Sequence, residues 1–170
     1  MRLFVAIQFD DVLLDALENF QDELKREGLQ GKYTPRENLH LTMAFIGEYG
    51  NPDIVMDAID STRLETFTLK LEGAGSFGDL YWAGISRNPV LESNSKKLRH
   101  ALAKNNIPFD RKRFSPHITL VRKAVFQGKT ALPVINSPVG EMKVGSISLM
   151  RSERGKHGMI YTELGRNCFT

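Results

Sequence analysis

His40 and His117 each stand two residues before a threonine inside an apolar run, in LHLTMAFIG and SPHITLVRK. An imidazole with an ordinary pKa near 6.5 can take or give a proton at neutral pH. A threonine hydroxyl can bond a phosphate oxygen. Two such couples around one phosphorus would supply a base on one side, an acid on the other, and donors for the oxygens between. In a β-strand alternate side chains share a face. His40 therefore points with Thr42, and His117 with Thr119, each couple spaced about 7 Å along its strand. Leu39, Leu41, Met43 and Phe45 take the opposite face of the first strand and read as core. Ile118 and Leu120 do the same in the second. Arg122 is the exception: strict alternation points it away from His117, and only a bulge or the strand end would redirect it.

The elements that carry the two motifs repeat. The histidines are 77 positions apart. Arg2–Gln8 reads as a buried strand, and the same offset lands on the strand-like segment Asp79–Ile85. Asp11 is a helix N-cap type, and its offset partner is Asn88. Val12–Glu27 carries Leu13, Leu17, Phe20 and Leu24 on one helical face and stops at Gly28. Pro89–Lys104 starts with proline at the first helical position. Each half thus reads strand, helix, His-x-Thr strand, which predicts an internal duplication of roughly residues 1–75 and 76–170 within one domain. Asn51-Pro52 caps a short helix to about Thr62. Thr66–Glu72, Ser146–Met150 and Met159–Leu164 alternate like strands, the last two around a polar turn over Arg151–Gly158. Phe126–Val139, with two prolines, reads as a loop or irregular edge. The expected class is α+β: two pseudo-symmetric lobes of antiparallel sheet, helices on the outer faces, a central cleft between.

Bulk properties narrow the function classes. The chain has 170 residues, 41% hydrophobic and 25% charged, ordinary for a globular domain. No apolar run approaches the roughly 20 residues of a membrane span, and the start MRLFVAIQFDD lacks the layout of a secretory signal. The single cysteine, Cys168, rules out a disulfide within the chain and fits a reducing, cytoplasmic setting. A net charge of +3 suits an anionic substrate. Zinc takes three or four protein ligands, and no carboxylate keeps strand register with either histidine, so no metal is expected. Neither a P-loop nor a Gly-x-Ser-x-Gly elbow occurs. A lone strand histidine is more often structural than catalytic. Two in matching motifs reverse that weighting for His40 and His117, while His100 and His157 read as surface residues.

These residues resemble the two-histidine (2H) phosphoesterase superfamily, and within it the bacterial and archaeal RNA 2′,3′-cyclic phosphodiesterases, also called 2′-5′ RNA ligases. The resemblance runs from the opening RLFVAI through ENLHLTMAFIG (Glu37–Gly47) and RFSPHITLVRK (Arg113–Lys123) to the closing SLMRSERG and GMIYTEL. Tyr33 stands where the family often has tryptophan. The resemblance implies metal-independent hydrolysis of a 2′,3′-cyclic phosphate to a 2′-phosphomonoester, with no cofactor. It implies His40 and His117 as the catalytic pair, Thr42 and Thr119 on the phosphate oxygens, and Arg122 as a basic partner. Tyr33, Phe114, Trp82 and Tyr161 could each stack on a base, with packing as the ordinary alternative for each. The expected partners are RNA ends, tRNA among them, or small cyclic nucleotides, met by a monomer with no membrane. Two alternatives stay open: a non-catalytic module that binds nucleotides or RNA ends, and a phosphodiesterase of small molecules such as ADP-ribose cyclic phosphate.

Overall fold

The computed structural model describes residues 1–126 and 137–170. Most of the expected Phe126–Val139 loop lies outside the described residues. The elements run β1 (Arg2–Gln8), α1 (Asp11–Arg26), β2 (Leu29–Tyr33), a 3-10 turn (Arg36–Asn38), β3 (His40–Glu48), α2 (Pro52–Asp60), β4 (Phe67–Phe77), β5 (Leu80–Ile85), α3 (Pro89–Lys104), β6 (His117–Phe126), β7 (Glu141–Val144), β8 (Ser146–Gly155) and β9 (Gly158–Cys168). They form two antiparallel sheets, one ordered β3-β1-β8-β9 and the other β2-β6-β5-β4-β7. This is the α+β class the periodicities predict.

Local chemistry explains most of the boundaries. Asn88 caps α3 by accepting from the Leu91 amide at 3.0 Å, and Asn51 caps α2 with Pro52 in the first turn. For α1 the cap is Asp10 rather than Asp11. Its backbone is extended, and its carboxylate accepts from the Leu13 amide at 2.9 Å. The last hairpin is longer than expected. Arg151 and Arg154 lie in β8, paired with Thr162 and Met159, and the turn between strands is only Lys156-His157. Polar residues read as a turn, but a hairpin with one wetted face accepts them in strands.

The boundary near residue 75 does not divide the sheets. Strands β8 and β9 join β1 and β3, while β2 and β4 join β5 and β6. The long helices cross over as well. Helix α1 packs on β2 and β7, and α3 packs on β3 beside α2, which covers β8 and β9. Helix α3 of the second half thus backs β3, while α1 of the first half lies on the sheet that holds β6 and reaches its Leu120 carbonyl through Gln21. One continuous core results, with Leu13 and Leu17 of α1, Leu98 and Leu102 of α3, Leu41 of β3 and Ile118 of β6 all buried within it.

Bulges in both motif strands break the simple alternation. In β3, Thr42 pairs with Ala6 and Ala44 with Val5, so Met43 is the extra residue. Beyond it Ala44 turns to the core. Phe45, expected in the core, is exposed under the Arg2 guanidinium, whose carbon lies 5.2 Å from the ring centroid. In β6, Thr119 pairs with Trp82 and Val121 with Tyr81. Neighbouring residues of β5 face opposite ways, so Leu120 is a bulge and Val121 turns to the core. The Leu120 carbonyl accepts from the Thr34 amide at 2.9 Å and from the buried Gln21 amide of α1 at 3.1 Å. Gln21 also donates to the Thr34 carbonyl at 2.9 Å. Replacing Gln21 by Ala strands the Thr34 carbonyl in the interior and is expected to cost about 1–3 kcal/mol. Urea denaturation measures this; a loss below about 0.5 kcal/mol would show that the amide does not hold the bulge.

Candidate active site

His40 opens β3 directly after the 3-10 turn, and that turn orients it. The His40 Nδ1 lies 2.7 Å from the Asn38 carbonyl oxygen. A carbonyl can only accept, so Nδ1 carries the proton and the neutral ring presents its lone pair at Nε2. The Thr42 hydroxyl sits 3.0 Å from that Nε2, which makes it the donor to the neutral ring. Asn38 is itself fixed, its side-chain amide donating to the Met159 carbonyl at 2.9 Å. Phe4 and Tyr161 pack around the imidazole with centroids at 5.1 and 5.3 Å, the tyrosine edge-on. Arg36 ties the turn to α1 through Asp11, Asp15 and Glu18, and those three carboxylates hold its pKa well above the ordinary value.

His117 repeats the arrangement at the start of β6. Its Nδ1 donates to the Ser115 carbonyl at 2.8 Å, again two residues upstream, and Nε2 is again the nitrogen that carries the lone pair. An aromatic ring again meets it edge-on: Phe77, at 5.3 Å and 86°. No bond links His117 to Thr119 among the described residues. Thr119 shares the His117 face through its pairing with Trp82, whose ring covers Gly75. A Cβ on Gly75 would stand 2.6 Å from that indole, so glycine is what lets the tryptophan lie flat on the strand. Phe77 is half exposed, at 51%, and stacks obliquely on Trp82 at 5.2 Å.

The two couples feel one another. Burial lowers the His40 pKa below its ordinary 6.5, and the positive charges of Arg122 and His117 lower it further, against the opposing Asn38 bond. That coupling brings His40, His117 and Arg122 into one electrostatic neighbourhood. The Leu120 bulge explains Arg122. Val121 faces the core, so the next residue returns to the face of Thr119 and His117.

Tyr33 is a correction. It pairs with core-facing Val121, on the side opposite His117. Its hydroxyl donates to the Leu29 carbonyl at 2.6 Å, the Lys25 ammonium of α1 sits 4.7 Å from its ring centroid, and burial pushes its pKa up to about 12. Its ring packs beneath the helix and does not line the cleft. His100 and His157 are exposed, as expected. Sequence reasoning did not find the polar group beside His40. Gln8, its register partner, bonds Ser148 and Glu163, and Glu163 also takes bonds from Ser148 at 2.7 Å and Arg166 at 2.9 Å. The only sequence signal was a glutamine closing the apolar strand RLFVAIQ. No three His, Cys, Asp or Glu side chains converge as metal ligands among the described residues, and no described helix is long and apolar enough to cross a membrane.

Comparisons with known proteins bear on this geometry. A family model described as the 2′-5′ RNA ligase superfamily matches residues 13–156. A protein named RNA 2′,3′-cyclic phosphodiesterase from Methanothermobacter thermautotrophicus is 29% identical, over 96% of this chain and 96% of its own. The crystal structure of E. coli LigT in apo form superposes with a TM-score of 0.84 at 28% identity, covering 99% of this chain and 97% of that one. The E. coli LigT complex with 3′-AMP gives a TM-score of 0.80 at 27% identity, with coverage of 99% and 97%.

The lowered His40 pKa links the site to stability. Between its folded pKa and the unfolded value of 6.5, the unfolded chain binds the extra proton. Stability from this group is complete above pH 6.5 and is lost as pH falls through the folded pKa. Subtracting the stability–pH curve of His40→Gln from that of the parent should leave a difference rising with pH below 6.5. A flat difference would mean that folding does not perturb the imidazole.

Proposed function

Because the chain belongs to the 2′-5′ RNA ligase superfamily, we propose that it hydrolyses the 2′,3′-cyclic phosphate at RNA ends to a 2′-phosphomonoester, using His40 and His117 as an acid/base pair without a metal. One observation carries this reading: both imidazoles anchor Nδ1 on the carbonyl two residues upstream and so present Nε2 from matching strands. The same symmetry supports reading residues 1–170 as one duplicated domain.

The chemistry follows from proton positions. Water attacks phosphorus opposite O3′, and one imidazole takes its proton as the P–O bond forms. The P–O3′ bond breaks, and the other imidazole protonates the departing O3′. The phosphate stays on O2′. His40 is the better base, because burial and two nearby positive charges keep it neutral. His117 then serves as the acid. Thr42 and Thr119, with the Arg122 guanidinium, stabilise charge on the non-bridging oxygens. Before substrate binds, Thr42 donates to His40; a phosphate oxygen competes for that hydroxyl and frees the Nε2 lone pair. With a 5′-hydroxyl of RNA attacking in place of water, the same scheme in the same direction forms a 2′-5′ linkage through the same two proton transfers. RNA ends, tRNA fragments included, are the proposed partners, met in the cytoplasm by a monomer.

His40→Ala and His117→Ala should each lower kcat by about 10²–10⁴-fold while circular dichroism stays unchanged. EDTA should leave turnover intact, and the product should be the 2′-phosphate. Binding of 2′,3′-cyclic AMP and of a cyclic-phosphate RNA without turnover of either would replace this reading by a non-catalytic module.

The pH profile gives a second test. The acidic limb of kcat/KM reports deprotonation of the base and should fall below 6.5. Arg122→Gln removes a positive charge, so the His40 pKa rises and the limb moves to higher pH. An unmoved limb would separate Arg122 from His40.

A further inference from the structure

Strands β2 and β6 set two cations directly opposite one another. Lys32 is the register partner of Arg122, and both side chains are exposed. Neither takes part in an ion pair among the described residues. Like charges opposite one another destabilise a sheet. A lysine on an edge strand has an ordinary use, discouraging edge-to-edge pairing, and β2 is such an edge. That use does not require a lysine opposite an arginine, since a glutamate there would guard the edge equally and neutralise its neighbour. The backbone, moreover, is arranged to bring the two together. Gly31 has φ +151°, and a Cβ on it would stand 2.7 Å from the Arg122 carbonyl oxygen. Lys123, next to Arg122, adopts φ +53° in a second bulge of β6. Only glycine at 31 allows β2 so close at that bulge.

Their direction gives the pair a role. Tyr33 and Val121 face the core, so Lys32 and Arg122 face the side of His117 and Thr119. At a rise of about 3.3 Å per residue, Arg122 begins about 10 Å beyond Thr119 along the strand. Its guanidinium charge lowers the His40 pKa, while Lys32 on the neighbouring strand extends the positive surface. We propose that Lys32, placed beside the Arg122 that serves the reacting phosphate, forms a subsite for the phosphodiester immediately 5′ of the reacting nucleotide, so that the enzyme favours RNA oligomers over free cyclic nucleotides. A free 2′,3′-cyclic nucleotide has no such phosphate and leaves the lysine unused. This rests on the cyclic-phosphate reading above and adds what that reading leaves open, the discrimination between an RNA end and a mononucleotide.

The test compares 2′,3′-cyclic AMP with the dinucleotide ApA ending in a 2′,3′-cyclic phosphate. It uses the full chain, Lys32→Ala and Lys32→Arg, in low and high salt. The parent should favour the dinucleotide. Lys32→Ala should lower the ratio of kcat/KM values, dinucleotide over mononucleotide, by about tenfold through KM. Lys32→Arg should retain the ratio, and added salt should erode the parent's preference, as for any phosphate contact. A ratio unchanged in Lys32→Ala overturns the subsite and leaves cyclic-phosphate hydrolysis standing, as does an equal loss on both substrates. No turnover of either substrate by the parent overturns both.

Discussion

Each imidazole is anchored by the same hydrogen bond, from its own Nδ1 to the carbonyl two residues before it. That bond fixes the tautomer, because a carbonyl cannot donate, and it fixes which nitrogen is offered to a substrate. It also fixes the ring plane, against which Tyr161 in one half and Phe77 in the other set an edge at the same 86°. The rest of the molecule serves these two bonds. Arg36, pinned to three carboxylates of α1, holds the turn that carries the Asn38 carbonyl. Asn38 spends its own side chain on β9. The buried faces of both strands belong to one core.

The two motifs anchor their histidines alike and set them in unlike environments, and the difference is the one the proposed acid/base pair needs. His40 lies among Phe4, Ala6, Met150 and Tyr161, with Thr42 on its free nitrogen. His117 lies at a more open edge beside half-exposed Phe77. Two identical imidazoles in identical settings would titrate together. Burial of His40, with Arg122 and the second imidazole nearby, lowers its pKa, the direction that the proposed base needs.

The sequence made the periodic parts legible and concealed the interruptions. Arg2–Gln8 and Pro89–Lys104 appear with the bounds their patterns predict, and His40 shares a face with Thr42 because period-two alternation holds up to the first bulge. Phe45 was misplaced because Met43 is an extra residue, and an extra residue leaves no mark in an apolar run. The facing of Arg122 was undecidable for the same reason. Its direction depends on the Leu120 bulge, and that bulge on a glutamine in a helix 99 positions away in sequence. Tyr33 looked like a stacking residue because aromatic character reads from sequence and orientation does not. Strand β2, with Gln30, Gly31 and Lys32, has little strand propensity of its own and forms because β6 is there to pair with it.

The central claim is that both histidines offer Nε2 to one phosphate. Nitrogen-15 NMR of the imidazoles, with and without inorganic phosphate, tests it most directly. In the neutral state both rings should show a protonated Nδ1 and an unprotonated Nε2, and phosphate should shift both Nε2 signals over one saturation curve. A proton on Nε2 in either neutral ring, or a response confined to one histidine, would contradict the account.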